Sequence, residues 1–253
     1  MPAHEQQPIP SVWTRPQRRK REQPALSREQ IVTAALELLD AEGLDALSMR
    51  KLGTRLNAGA TSLYTHVANK DEIVELVVDE VYGEIDVPGA GGGEASAADW
   101  REAATRCALS LRATVLKHPW MGTVLGGMGV TQLGPNVMRL SEGLLAMFGA
   151  AGLPADEADL AVSTLSAYVI GMTVSEAAWL TTLARSGRSE QEWVESLWPA
   201  AEEAAQEHPR LREQYAALRG KDPREERDAQ FRYGLERVLD GLAGRITPAT
   251  TTG

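Results

Sequence analysis

Apolar residues recur every three or four positions along most of the chain, which is the spacing of a helix with one buried face. The pattern is clear over residues 31–39, 73–81 and 165–183, and it returns near the C-terminus over 231–242. No segment alternates apolar and polar residues over the length of a β-strand. The sequence therefore predicts an all-α fold.

Breaks in this pattern divide the chain into five parts. The N-terminal segment is rich in proline and charge and is expected to be disordered when free. The glycine-rich segment after residue 85 is typical of a flexible linker. The predicted parts are a disordered basic arm at 1–26, a helix-turn-helix domain at 27–85, a flexible connection at 86–98, a helical bundle at 99–246 and a loose tail at 247–253.

Capping and turn residues subdivide the first folded part. Ser27 and Gln30 have the spacing of a capping box, which predicts a helix start. Ser48 can cap a short second helix, and the tight turn at 57–59 precedes a third helix at about 60–67. Two short helices joined by a glycine-containing turn form a helix-turn-helix, whose second helix lies in the DNA major groove.

One side of this third helix is polar. Leu63 and Val67 are four residues apart and are expected to hold the helix to its own core. The outward side then carries hydroxyl, phenol, imidazole and ammonium groups that contact phosphates or bases: Thr61, Ser62, Thr65 and His66, with Tyr64 at the edge and Lys70 at the next helix start. The alternative is a solvated surface helix, which His66 alone would favour.

Charge is distributed unevenly along the chain. Residues 1–70 carry 10 Lys and Arg against 7 Asp and Glu, whereas the remainder carries 16 against 28. The segment "RPQRRKR" contains four consecutive basic residues: Arg18, Arg19, Lys20 and Arg21. A basic end on an acidic body favours a polyanionic partner. The equal alternative is a solvated disordered tail. The arm also resembles extensions that reach an adjacent minor groove, for which general attraction to phosphates is an equal alternative.

The run "IVTAALELLDAEGLDALSMRKLGTRLNAGATSLYTHVANKDEIVELV" resembles the DNA-binding head of the tetracycline-repressor (TetR) family, above all over "LYTHVANKDEI". The segments "KHPWMG" and "FRYGLERVLDGLAGRI" resemble the branch that contains the tetracycline repressor itself. The resemblance implies a regulator that binds operator DNA as a homodimer and responds to a small molecule.

Matched residue by residue, the resemblance implies that Arg50 reads a base and that Lys70 contacts a phosphate. The polar side of the third helix matches the family's recognition surface. Ala60 stands where the tetracycline repressor has a base-reading amide, and Thr65 stands where it has a bulky aromatic residue. These differences concern which operator sequence is read and not how the head docks on DNA. The alternative for Arg50 is an ordinary surface arginine paired with a carboxylate.

The resemblance also implies a four-helix dimer interface, to which each chain contributes its last helix and the helix at about 155–185. The predicted contact side of the last helix consists of Phe231, Leu235, Val238, Leu239 and Leu242. The alternative is that these side chains pack inside the monomer.

An effector pocket is predicted among the helices at about 100–118, 135–149 and 155–185. These segments are rich in large apolar side chains with few polar ones, which is typical of sites for apolar or aromatic small molecules. The candidate lining residues are Trp120, Met121, Met138, Tyr168, Met172 and Trp179, with His118 and Glu176 as polar groups. For each residue the alternative is core packing, and Glu176 is expected at an edge rather than buried with a partner.

Motifs for catalysis, nucleotides and metals are missing from the sequence. Cys107 is the only cysteine, and the four histidines are dispersed without zinc-ligand spacing. No apolar run approaches the roughly 18 residues of a membrane helix. We therefore expect a cytoplasmic, non-enzymatic protein without cofactor, metal or membrane. Two functions remain open, a ligand-responsive repressor of a palindromic operator and a constitutive helix-turn-helix protein without an effector.

Overall fold

The computed structural model describes residues 26–89, 99–127 and 133–246. All regular structure in these ranges is helical, which confirms the predicted fold class. The α-helices are α1 (Arg28–Glu42), α2 (Met49–Arg55), α3 (Ala60–Leu63), α4 (Lys70–Tyr82), α5 (Trp100–Lys117), α6 (Trp120–Gly127), α7 (Pro135–Ala150), α8 (Ala155–Ser186), α9 (Glu190–Ala204), α10 (Pro209–Leu218) and α11 (Pro223–Ala243). The predicted disordered arm and loose tail, with Arg18, Arg19, Lys20 and Arg21, lie outside the described residues, as does most of the predicted connection.

The first four helices form an N-terminal head. The predicted capping box opens α1, since Gln30 N donates to Ser27 Oγ at 3.1 Å and Ser27 N donates to Gln30 Oε1 at 2.9 Å. Gly43 ends the helix with φ +80°, a conformation that L side chains rarely adopt. The head has an apolar core of its own, to which each helix contributes fully buried side chains: Ile31, Leu38, Leu39, Leu52, Leu63, Ile73 and Val77.

The recognition helix is shorter than its predicted span of 60–67. It ends at Leu63, and the chain continues in tight turns in which His66 N donates to the Leu63 carbonyl at 2.9 Å. Thr65 Oγ1 also donates to the Ser62 carbonyl, at 2.6 Å. These local bonds span three residues and tighten the helix end. Val67 nevertheless stays buried, as its spacing from Leu63 predicted.

The second part of the molecule is built around α8. This helix packs against α5, α6, α7 and α11. It is long and apolar enough to cross a bilayer, but its buried stripe is occupied by those four helices. By contrast, α9 and α10 contain no buried residue and lie at the margin of the bundle.

Candidate nucleic-acid interface and effector domain

The helix-turn-helix is held by apolar anchors on each of its helices. Ser48 caps α2 by accepting from Lys51 N at 3.2 Å. Leu52 of α2 and Leu63 of α3 are both 0% exposed. The turn between the helices contains Asn57 at φ +49°, a conformation that asparagine tolerates better than most side chains. These constraints fix which side of α3 faces outward.

The outward side of α3 and its following turn carries most of the predicted recognition residues. Thr61, Ser62, Tyr64 and Thr65 are exposed, and Tyr64 is the most prominent because 54% of a large aromatic residue faces solvent. His66 is half-buried and engaged within the protein. The structure thus presents a contiguous polar surface with one projecting ring.

Arg50 lies on α2 in a shallow groove beside Lys51, Thr54 and Arg55. Lys51 is paired with Glu42, and Arg55 donates to Glu37 at 2.7 Å. Within the described ranges Arg50 makes no ion pair, in contrast to the alternative of an arginine paired with a carboxylate. The groove therefore contains three cationic side chains, of which Lys51 and Arg55 are paired with carboxylates and Arg50 is not, within the described ranges.

Lys70 has a structural contact in addition to its predicted role. Its side chain is half-buried, and Nζ donates to the Leu44 carbonyl at 3.0 Å. Asn69 caps the same helix by accepting from Glu72 N at 2.9 Å. The start of α4 is thereby tied to the turn after α1, and an ammonium group retains two further donors.

Two predicted pocket residues instead join the head to the second domain. His118 is 2% exposed, and its Nδ1 lies 2.6 Å from Asp40 Oδ1 on α1. Trp120 Nε1 donates to the same carboxylate oxygen at 2.8 Å. These polar atoms are thus engaged by a head residue, and the assignment of His118 and Trp120 to an effector pocket stays a prediction.

A buried ion pair lies where the sequence predicted an exposed carboxylate. Glu176 accepts two hydrogen bonds from Arg112, from Nε and Nη2, each at 2.7 Å, and both side chains are 10% exposed. The expectation of an edge position for Glu176 is therefore wrong. Asp228 also accepts from Arg112 Nη2 at 2.6 Å, and Arg227 Nε lies 3.3 Å from Glu176.

Sequence analysis missed Arg112. The hydrogen bond to Glu176 raises its pKa, burial works in the opposite direction, and a further hydrogen bond to Asp228 adds to the increase. The guanidinium also lies 4.8 Å from the centre of the Phe231 ring. A signal was present, because Arg112 continues the apolar stripe of α5 four residues after Ala108 and would need a buried partner.

The remaining predicted pocket residues are dispersed. Met121 is 1% exposed and belongs to the core, whereas Met138 is 44% exposed and lies on the outside of the chain. Tyr168 Oη donates to the Phe231 carbonyl at 2.8 Å, and Trp179 Nε1 donates to Glu190 at 3.1 Å. Met172 is half-buried against the core.

Three members of the predicted dimer interface lie in the chain's own core. Phe231, Leu235 and Leu239 are 1–2% exposed within a single chain and cannot bury further surface against a partner. Val238 and Leu242 are half-buried. These three side chains thus follow the alternative of packing inside the monomer, because an apolar helix stripe has the same sequence pattern whether it faces its own bundle or a partner.

The comparisons with known proteins agree with this architecture. Residues 31–77 match the model of bacterial regulatory proteins of the tetR family, and residues 93–246 match the tetracyclin repressor-like C-terminal domain. An HTH-type transcriptional regulator of Saccharopolyspora erythraea is 36% identical over 236 residues, which are 92% of this chain and 91% of that protein. The chain belongs to the TetR family.

Other relatives support the same assignment. The HTH-type transcriptional repressor DrrR1 of Streptomyces coeruleorubidus is 31% identical over 87% of this chain and 78% of its own length. The TetR family protein ActR of Streptomyces coelicolor, solved in complex with actinorhodin, superposes with a TM-score of 0.70 at 30% identity, over 88% of this chain and 99% of that chain. As a TetR-family member, this chain is a DNA-binding transcriptional regulator and not an enzyme.

Proposed function

We propose that this TetR-family regulator is a repressor that binds a near-palindromic operator as a homodimer and is released by a small apolar or aromatic effector. The observation that carries the DNA-binding part is the contiguous exposed face of Thr61, Ser62, Tyr64 and Thr65, beside an Arg50 without an ion pair in the described residues. Hydroxyl and phenol groups contact phosphates, and arginine reads guanine edges in the major groove.

The outward side of α8 supports a dimer. Between Asp159 and Arg185 the helix has a single charged residue, Glu176, and that carboxylate is turned inward onto Arg112. The positions that remain exposed are apolar, small or hydroxylated: Leu160, Ser163, Thr164, Ala167, Gly171, Ser175, Ala178, Thr182 and Ala184. A helix face in contact with water normally carries charges, so this face fits a second copy of the chain.

This interface retains the α8 half of the four-helix interface that the resemblance implied and gives α11 a smaller share. A two-fold axis beside α8 would bring the same face of both chains together. The small residues allow the two helix backbones to approach closely, while Val238 and Leu242 of α11 remain half-buried at its side. The two recognition helices of such a dimer are expected to lie roughly 34–36 Å apart, one turn of DNA.

The proposal of an effector rests on the relatives. ActR, at 30% identity over 88% of this chain, forms a complex with actinorhodin. An apolar or aromatic effector agrees with the apolar composition of the second domain, because pockets for small molecules are lined mostly by apolar and aromatic groups with a few polar ones. Actinorhodin is therefore the first compound to test.

The test begins with selection of bound fragments from the source genome. The enriched fragment should contain an inverted repeat, bind as a complex with two chains, and bind more weakly as salt increases, since cationic groups displace counterions. Equal binding to random duplex would contradict sequence-specific regulation. Actinorhodin and a library of aromatic compounds are then titrated into the complex, and stabilising compounds that never release DNA would favour a constitutive DNA-binding protein.

A further inference from the structure

We propose that Asp40 is the coupling residue between the two domains, through which the turn between α5 and α6 sets the position of the DNA-binding head. The inference rests on the proposed DNA binding and extends it to a mechanism of communication. Asp40 is part of the head, on the last turn of α1, whereas its partners His118 and Trp120 belong to the second domain.

The two contacts converge on one oxygen atom. His118 Nδ1 lies 2.6 Å from Asp40 Oδ1, and Trp120 Nε1 donates to the same Oδ1 at 2.8 Å. His118 and Trp120 are 2% and 5% exposed, and their rings meet edge to face at 6.4 Å. Because Pro119 fixes φ between them, the two donors move together when the turn moves.

The same turn also holds the end of the helix that leaves the head. His118 Nε2 lies 3.3 Å from Glu84 Oε1, two residues beyond the end of α4, and Lys117 donates to Glu84 Oε2 at 2.7 Å. One imidazole thus bridges a carboxylate on α1 and a carboxylate after α4. A displacement of this turn therefore acts on the last turn of α1 and on the residues that follow α4.

The position of α6 makes this junction a switch element. Trp120 is the first residue of α6, and α6 packs along α8 in the core of the second domain. A ligand that shifts α6 against α8 must either carry α1 with it or break both contacts at Asp40. Hydrogen bonds to charged groups lose strength steeply with distance and angle. The junction therefore has two states, one in which both hydrogen bonds to Asp40 are formed and one in which both are broken.

A second anchor holds the C-terminal half of α4 to the second domain. Asp79 of α4 is 4% exposed and accepts from Asn136 N at 3.0 Å and Val137 N at 3.1 Å, at the start of α7. A carboxylate at a helix N-terminus is a favourable contact. This end of α4 is held by α7 as well as by the turn between α5 and α6, so Asp40 is the contact through which that turn acts on α1.

The test uses operator DNA alone and needs no effector, because coupling between two sites is reciprocal. Amide hydrogen exchange is measured for the full chain, free and saturated with the selected genomic fragment. DNA binding at the head is expected to slow exchange at residues 117–127 several-fold in the unmodified protein. Asp40→Ala should still bind the fragment but lose this protection.

Two further variants separate coupling from structure. Glu37→Gln removes a carboxylate one turn earlier on α1, which pairs with Arg55 inside the head, and should keep the full protection. Asp40→Asn keeps an acceptor oxygen in place and should give an intermediate value. If Asp40→Ala does not fold, Trp120→Phe removes one of the two donors while retaining an aromatic ring, and should lower the protection.

The failures are distinguishable. A chain that binds no genomic fragment contradicts the proposed function itself. A chain that binds DNA normally, but shows no protection at 117–127 or retains it in full in Asp40→Ala or Trp120→Phe, overturns the coupling role of Asp40 alone.

Discussion

Arg112 and Glu176 form a two-point ion pair between α5 and α8, with Nε and Nη2 each 2.7 Å from a carboxylate oxygen and both side chains 10% exposed. Both charges are largely shielded from bulk water at this depth, so each depends on its ion-pair partners for stabilisation. Asp228 and Arg227 extend the pair toward α11. The pair therefore fixes the register of three helices around a charged centre.

Glu176→Ala should destabilise the protein at the lower end of the about 3–5 kcal/mol expected for breaking a buried pair, because Asp228 still faces Arg112. The double variant Arg112→Met/Glu176→Leu should lose much less, since it leaves no unpaired charge. Urea unfolding measures both. Glu157→Ala, which breaks the more exposed pair with Arg245, is the control and should change stability by about 0–1 kcal/mol. An equal loss in all three variants would show that burial of this pair is unimportant.

Tyr64→Ala should weaken operator binding without lowering thermal stability, because the ring is 54% exposed and contributes little to the core. A lost base-specific contact corresponds to about 1–3 kcal/mol of discrimination. Fluorescence anisotropy with the selected fragment gives the affinity. Tyr233→Ala removes an even more exposed tyrosine, on α11, and should bind DNA normally. Similar behaviour of the two variants would contradict the recognition face.

Ala167→Glu should convert the protein to a monomer that binds the operator poorly. Ala167 is exposed in the middle of the uncharged side of α8, and a carboxylate buried there without a partner costs several kcal/mol. Sedimentation velocity reports the oligomeric state. Ala216→Glu on the exposed side of α10 is the matched control and should remain dimeric. A dimeric Ala167→Glu would place the interface elsewhere.

Local signals in the sequence predicted much of this fold. The bounds of α5 and α8 agree with the predicted ones within one residue, and Ser27 and Ser48 cap the helices they were assigned to. Such features depend on residues within one helical turn of each other. The contacts at Glu176 and His118 could not be predicted in the same way, because their partners Arg112 and Asp40 are 64 and 78 positions away.

The surface that covers the buried side of α11 could not be predicted from the sequence either. Its apolar spacing was predicted correctly, but spacing does not identify the surface that covers it. Tyr168 packs against Gly234 so closely that a Cβ there would overlap the phenol ring, and its hydroxyl donates to the Phe231 carbonyl. Phe231 thus lies in the chain's own core. Nothing in the local sequence of α11 indicates that a tyrosine on α8 packs against it.

Cys107 should resist thiol reagents in the folded protein. Burial raises its pKa to about 12, with a smaller contribution from the charge of Asp86. The reactive thiolate is therefore scarce at about pH 8, where an ordinary cysteine is partly ionised. Labelling with a disulfide reagent should be slow in buffer and fast in urea above the unfolding midpoint. Rapid labelling of the native protein would contradict the burial of this side chain.

The stability of the domain junction should decrease in acid because of Glu84. Burial works to raise the pKa of Glu84, but the hydrogen bond from Lys117 and the charge and hydrogen bond of His118 outweigh it and lower the pKa below the ordinary value of 4.5. A lowered pKa in the folded state means that the unfolded chain binds a proton first as the pH falls. The stabilisation is thus complete above the unfolded-state pKa and is lost as the pH falls through the folded-state value.

Glu84→Gln removes this titration, so its unfolding free energy should depend less on pH below about pH 5 than that of the unmodified protein. Urea unfolding at a series of pH values measures the two slopes. Glu80→Gln, an exposed residue one turn earlier on α4, is the control and should retain the unmodified slope. If Glu84→Gln also retains it, the contacts of Glu84 with Lys117 and His118 do not stabilise the junction, and the coupling assigned to this turn must depend on Asp40 alone.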